Sequence, residues 1–297
     1  MNQIQPEVLL SEFLNHLKVQ DGLSDNTISS YRNQLKGYLG FLINFNRVMD
    51  EVKPSDIHGF LESKIAAGCK SSSRFISTIA IKKFHRYLCT RGLCETDPSK
   101  DIGLPKVRQQ IPDPLSIEEI EKLFDLSAGS RFSLIRLRAM LECLYSTGVR
   151  VSELINLKLP GIELDGNWIR VLGKGDKTRD VPIGPRVREA LRSYMAVRGT
   201  RFGSINDFVF LNSRGGRLTR GGFWKQLKQL GRRAMIAGRV FPHRVRHSTA
   251  CHLLTNGVDL RVLQELLGHV SITTTQRYAH VTPAFLKAKV ESAHPRF

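Results

Sequence analysis

The chain has 297 residues, 41% of them apolar and 24% charged. That is ordinary material for buried cores, and the length exceeds one core, so two domains are expected. No apolar run approaches the roughly 18 residues that span a bilayer, and the first residues carry no basic segment followed by an apolar stretch. A cytoplasmic protein with no membrane partner is therefore expected. The five cysteines, Cys69, Cys89, Cys94, Cys143 and Cys251, are scattered without a C-x-x-C pair, which argues against a disulfide framework and a zinc site.

The net charge of +18 is unevenly placed. Residues 1–112 hold 15 basic and 11 acidic side chains, residues 113–297 hold 30 and 16, and the stretch Arg170–Arg246 alone holds 19 and 4. Such a concentration fits a polyanion, because each Lys or Arg set on a phosphate releases condensed counterions.

In chain order, residues 7–45 read as two helices. Leu9, Leu10, Phe13, Leu14 and Leu17 recur at helical spacing, a turn follows at Gln20-Asp-Gly-Leu23, and Ser24 or Asp25 caps a second helix carrying Ile28, Tyr31, Leu35, Leu39 and Leu42. Amphipathic stretches near Ser55–Ala67 and Ser73–Arg91 complete a small all-α module. Pro98, Pro105, Pro112 and Pro114 mark residues 97–114 as a linker, since proline removes donors and disfavours helix before it. The second domain opens at Ser116, which caps a helix with Glu119 in a capping box. Alternating apolar residues over 162–172 and 178–183, broken by Asp165-Gly166 and Gly173-Lys-Gly175, predict three short antiparallel strands. From Pro185 the pattern is helical again. The fold class expected is mainly α with a small antiparallel β-sheet in the larger domain.

Five segments concentrate groups suited to phosphate. In Thr147-Gly-Val-Arg150-Val-Ser-Glu-Leu154, Gly148 breaks one helix and Arg150 begins the next. Lys174 lies between glycines that let backbone approach a ligand. In Phe241-Pro-His243-Arg-Val-Arg246-His247, a helix begun by Pro242 puts His243 and Arg246 on one face. Gly268 ends a helix in Leu266-Leu-Gly-His269, and Thr273-Thr-Thr-Gln-Arg-Tyr278-Ala-His280 follows. Each alone is ordinary, as a solvated lysine, a helix-end histidine or a packing tyrosine. Together they place two arginines, two histidines, a lysine and a tyrosine beside structure breaks in one basic domain.

That ordered set, Arg150, Lys174, His243-x-x-Arg246, Leu-Gly-His269 and Tyr278, resembles the tyrosine recombinase (phage integrase) family. The flanking residues resemble its Xer-like subgroup, as do Gly22-Leu-Ser-x-Asn-Thr-Ile-x-Ser-Tyr31, Asp97-Pro98 and Leu104-Pro-Lys106, so the resemblance covers nearly the whole chain. Two positions depart from the family pattern. Ala279 stands where the subgroup commonly has threonine, and Arg244 stands where an uncharged residue is more usual.

The resemblance implies a two-domain DNA clamp: a helical, SAM-like core-binding domain over 1–96, the linker 97–114, and an α+β catalytic domain over 115–297. It implies cleavage and rejoining of double-stranded DNA through a 3′-phosphotyrosine and a Holliday junction, with four identical or paralogous protomers on two DNA sites. The role is dimer resolution of chromosomes or plasmids, or integration and excision of a mobile element.

Arg150 and Arg246 are then the phosphate clamp, His269 a further donor, Tyr278 the nucleophile, His243 the acceptor of its proton and Lys174 the acid for the departing 5′ oxygen. No metal or other cofactor is expected, and no ATP. The tail around Phe285-Leu-Lys-Ala-Lys-Val290 docks on a neighbouring protomer or packs on its own domain. A type IB topoisomerase and a noncatalytic DNA-binding regulator are the rival readings, disfavoured by the amino-terminal module and by the complete catalytic set.

Overall fold

The computed structural model describes residues 5–107, 113–173, 177–204, 206–268 and 283–296. The chain divides into two compact units, Met1–Gln110 and Ile111–Phe297. No helix among the described residues is long and apolar enough to cross a membrane.

The first unit is built from α1 (Pro6–Val19), α2 (Asp25–Asn44), α3 (Pro54–Ala66) and α4 (Ser71–Thr90). The Leu9, Leu10, Phe13, Leu14 and Leu17 stripe is buried as its spacing predicts. The Ser24 hydroxyl caps α2 by accepting the Thr27 N–H. Tyr31 only borders the core, whereas Tyr38, two turns further along that face, is fully inside it with Leu35. There the Tyr38 hydroxyl lies 2.8 Å from His85 Nε2, and burial pushes the His85 pKa down to about 4. The proline-bearing segment begins on this unit: Lys82 Nζ donates to the carbonyls of Ser99, Lys100 and Ile102, each at 2.8 Å, and Ile102 is buried.

Near the start of the second unit, buried Leu115 donates its N–H to the Ser248 hydroxyl at 2.7 Å. Ser116 and Glu119 form the expected reciprocal cap on α5 (Ile117–Leu126), at 3.0 and 3.2 Å. The next helix, α6 (Phe132–Thr147), is buried on nearly every face from Arg136 onward, which marks a central helix rather than an amphipathic surface one. It packs against α8 (Pro185–Phe202) and α10 (Pro242–Thr255). Between them come a short helix, α7 (Val151–Ile155), and three strands, β1 (Ile162–Glu163), β2 (Trp168–Leu172) and β3 (Thr178–Pro182). The strands form one antiparallel sheet in the order β1-β2-β3, with Ile169 opposite Val181 and Val171 opposite Arg179. Ile169, Val171 and Val181 face the core, while Arg170 and Asp180 pair outside at 2.7 Å. Helices α9 (Arg220–Arg233), α11 (Leu260–Leu267) and α12 (Pro283–Ala293) complete the unit.

The described part of the tail packs on its own domain. Leu286 and Val290 enter the core of the second unit. His294 Nε2 lies 3.1 Å from the Tyr145 carbonyl, and burial pushes its pKa down to about 4. Arg296 bonds Glu142 at 2.7 Å and also Glu121, with its guanidinium 3.8 Å above the Phe124 ring.

Candidate active site

Three structure breaks assemble the site. Helix α6 ends at Gly148, whose φ of 59° is the left-handed conformation glycine adopts without strain. A Cβ there would lie 2.5 Å from Leu267 Cδ2, so any larger residue would also have to displace that side chain at the end of α11. Helix α11 ends at Gly268 in the same conformation, φ 64°. Arg150 occupies the residue before α7, and its backbone N–H donates to Glu153 Oε2 at 2.8 Å, which fixes the helix start. Pro242 begins α10, so His243 and Arg246 sit in its first turns.

The guanidinium groups converge on the carbonyls at the end of α11. Arg150 Nη2 donates to the Gly268 carbonyl and Arg246 Nη2 to the Leu267 carbonyl, both at 2.9 Å. Arg246 Nη1 also donates to the Gly148 carbonyl. A helix C-terminus carries partial negative charge, so it holds cations in place without neutralising them. Arg246 is only 8% exposed. Burial, and then the like charge of Arg150, bring its pKa down to about 10, with Glu153 opposing and Arg179 adding to the depression. His243 is exposed, yet desolvation and the neighbouring Arg246 and Arg150 charges hold it below the usual histidine value. It is therefore neutral at pH 7 and able to accept a proton.

Two residues enter the cluster without having been read as site residues in the sequence. Glu153, 3% exposed, bonds Arg150 Nη1 at 2.9 Å and takes both Nη atoms of Arg179, at 2.9 and 3.0 Å. Burial alone would raise its pKa, but the hydrogen bonds from Arg179 and Arg150 outweigh that and hold it low. The signals were present. Glu153 stands three residues after Arg150 at a helix start, and Arg179 shares the inward phase of β3 with Val181.

Arg150, His243 and Arg246 are thus brought together. Lys174, His269 and Tyr278 lie outside the described residues; Gly173 and Gly268, which precede the first two, are described. Arg244, the departure from the family pattern, takes no part in the guanidinium cluster. Its Nε donates to the Asp113 carbonyl and its Nη1 to that of Ala237, both at 2.9 Å, tying the domain's first residues to α10.

Residues 114–284 match the phage integrase family, and residues 10–92 match the phage integrase N-terminal SAM-like domain. Tyrosine recombinase XerD of Oceanobacillus iheyensis is 41% identical over 98% of this chain and 99% of that protein. Its namesake from Staphylococcus aureus strain Mu50 is 38% identical over 98% and 99%. Among solved structures, XerA recombinase aligns with a TM-score of 0.50 at 30% identity, covering 99% of this chain and 100% of that one. A lambda integrase dimer bound to a core site aligns at 0.72 and 18% identity over 93% and 99%, a likeness of fold. The chain belongs to the phage integrase family of tyrosine recombinases, in its Xer-like branch.

Proposed function

We propose that this chain is a site-specific recombinase that cleaves and rejoins double-stranded DNA through a covalent 3′-phosphotyrosine at Tyr278. The observation that carries the reading is the meeting of Arg150 and Arg246 at the end of α11, with His243 beside them and Glu153 as the carboxylate that contacts the cluster among the described residues.

A phosphodiester is already anionic, and attack by an oxygen gathers further charge on its nonbridging oxygens. Arginine suits this need because its fork donates paired hydrogen bonds and stays protonated. Fixed to carbonyls beforehand, Arg150 and Arg246 need no reorganisation as that charge develops. Tyrosine has a reference pKa of about 10, so its hydroxyl attacks poorly unless its proton is removed. In the proposed step the Tyr278 oxygen bonds phosphorus, its proton passes to His243, and the P–O5′ bond breaks. Lys174 protonates the departing 5′ oxygen, and His269 adds a donor to the phosphate. The tyrosyl ester keeps the energy of the broken linkage, so an incoming 5′-hydroxyl reverses the attack and reseals the strand.

A lambda integrase of the same fold has been solved as a tetramer bound to a Holliday junction. Four copies of this chain, or copies paired with a related recombinase, acting on two sites through such a junction are part of the proposal. The same exchange serves dimer resolution of a chromosome or plasmid and integration or excision of a mobile element. Incubation with a DNA suicide substrate nicked near the cleavage point traps a covalent protein–DNA band on a denaturing gel. Tyr278→Phe is expected to lose that band while retaining DNA binding; a persistent covalent band in the variant overturns the nucleophile assignment.

A further inference from the structure

The Arg179 guanidinium occupies a position that the roles above do not use. It grips Glu153 with both Nη atoms, at 2.9 and 3.0 Å, and Glu153 in turn holds the Arg150 guanidinium at 2.9 Å and the Arg150 backbone N–H at 2.8 Å. It is also wedged between two glycines. A Cβ on Gly268 would lie 2.9 Å from Arg179 Cζ, and a Cβ on Gly173 would lie 3.7 Å from Arg179 Nη1 and 3.9 Å from Glu153 Oε1. Gly173 leaves the sheet with its N–H on the Lys177 carbonyl at 2.8 Å, closing the hairpin base beside Arg179's own strand. One planar group thus touches the start of α7, the base of the β2–β3 hairpin and the end of α11.

We infer that Arg179 is a positioning residue of the recombinase, which through its paired grip on Glu153 orients the Arg150 fork and holds the Gly173 and Gly268 segments against it. The inference rests on the assignment of Arg150 to the phosphate clamp. A lysine cannot do this work, because a point charge on a flexible stem satisfies one carboxylate oxygen and offers no flat face to Gly268. A neutral glutamine in its place leaves Glu153 a buried carboxylate with Arg150 as its remaining cation among these partners. Arg150 is then drawn into a tighter internal pair and away from the phosphate. A displacement of about 1 Å in such a group costs on the order of 10²-fold in rate.

The test is a cycle of single-turnover covalent capture on the nicked substrate using the full chain, Arg179→Gln, Arg150→Ala and the double variant. Arg179→Gln is expected to slow capture about 10²-fold. Its affinity for intact DNA should stay within about twofold, since Arg179 serves Glu153 rather than the phosphate. Adding Arg179→Gln to Arg150→Ala should cost little more, because an absent fork has nothing left to orient. Losses that multiply in the double variant overturn the inference and make Arg179 an independent, structural contributor. Full-rate capture by Arg150→Ala would instead overturn the clamp assignment, and with it the role given to Arg179. If Arg179→Gln shows no cooperative melting, Arg179→Lys replaces it in the cycle, with an expected loss of about 10-fold and the same criterion.

Discussion

The second unit contains two arginine clusters, each around one buried guanidinium, and their electrostatics differ. At the tail, Arg296 and Arg138 meet Glu142 and Glu121, two cations against two carboxylates, with the Phe124 ring beneath both guanidinium groups. The carboxylates outweigh desolvation there, and the pKa of Arg296 is raised. At the site, Arg150 and Arg179 bond Glu153, while Arg150 and Arg246 also donate to the backbone carbonyls of Gly268, Leu267 and Gly148. Desolvation and like charge win there, and Arg246 falls to about 10. Arginine burial alone therefore does not mark a binding site. The two clusters differ in that like charge and desolvation depress Arg246 whereas carboxylates raise Arg296, and the depressed cluster is the one suited to an incoming anion.

The largest effect expected from this contrast is on catalysis. Arg246→Ala should slow covalent capture by about 10²–10³-fold, or about 2.7–4 kcal/mol of barrier, as for the loss of one preorganised donor. Its melting midpoint should fall less than that of Arg296→Ala, because removing Arg246 relieves repulsion from Arg150 and Arg179. Paired capture assays and melting curves check both statements, and a larger thermal loss in Arg246→Ala breaks the contrast.

Arg296→Ala comes next, measured by chemical denaturation. Glu142 is 1% exposed, and without Arg296 it is left to Arg138, so a loss of about 3 kcal/mol is expected, the low end for breaking a buried pair. Arg296→Met, which fills the space over Phe124 without a charge, should recover none of it, since the Glu142 carboxylate remains unmet.

The third effect is on acid stability, and it applies to both units. His85 in the first and His294 in the second are both held neutral with pKa values near 4. Unfolded histidine takes its proton near pH 6.5. The stability these residues contribute is present above that value and is lost as pH falls from about 6.5 to about 4. At 1.36 kcal/mol per pKa unit the upper bound is about 3.4 kcal/mol for each. Replacing His294 by Gln, which cannot titrate, should flatten the decline of the second unit's stability in that window, as followed by denaturation at stepped pH. An unchanged slope removes His294 as a source of acid lability.

Much of this was legible in the sequence because its punctuation is local. Gly148, Gly268 and Pro242 end or begin helices for backbone reasons that need no tertiary contact, and they carried Arg150 and the His243–Arg246 pair to the right helix ends. The strands were legible because Ile169, Val171 and Val181 alternate with polar neighbours. Arg179 was harder to find: its partners lie on α7 and at the end of α11, 26 and 88 residues away, and only the folded sheet brings them together. The tail also had two readings in sequence, since Leu286 and Val290 form a short apolar stripe that fits its own domain or a neighbour equally. The two carboxylates that receive Arg296 lie 154 and 175 residues earlier.

The role proposed for Arg150 and Arg246 is to meet phosphate charge. Its most direct measurement compares Arg246→Ala with the unaltered chain on two nicked substrates, one with an ordinary scissile phosphate and one carrying a methyl group in place of a nonbridging oxygen. The account predicts that the deficit of about 10²–10³-fold on the charged phosphate shrinks to about 10-fold or less on the neutral one, since the charge Arg246 answers is gone. Equal deficits on the two substrates would contradict it.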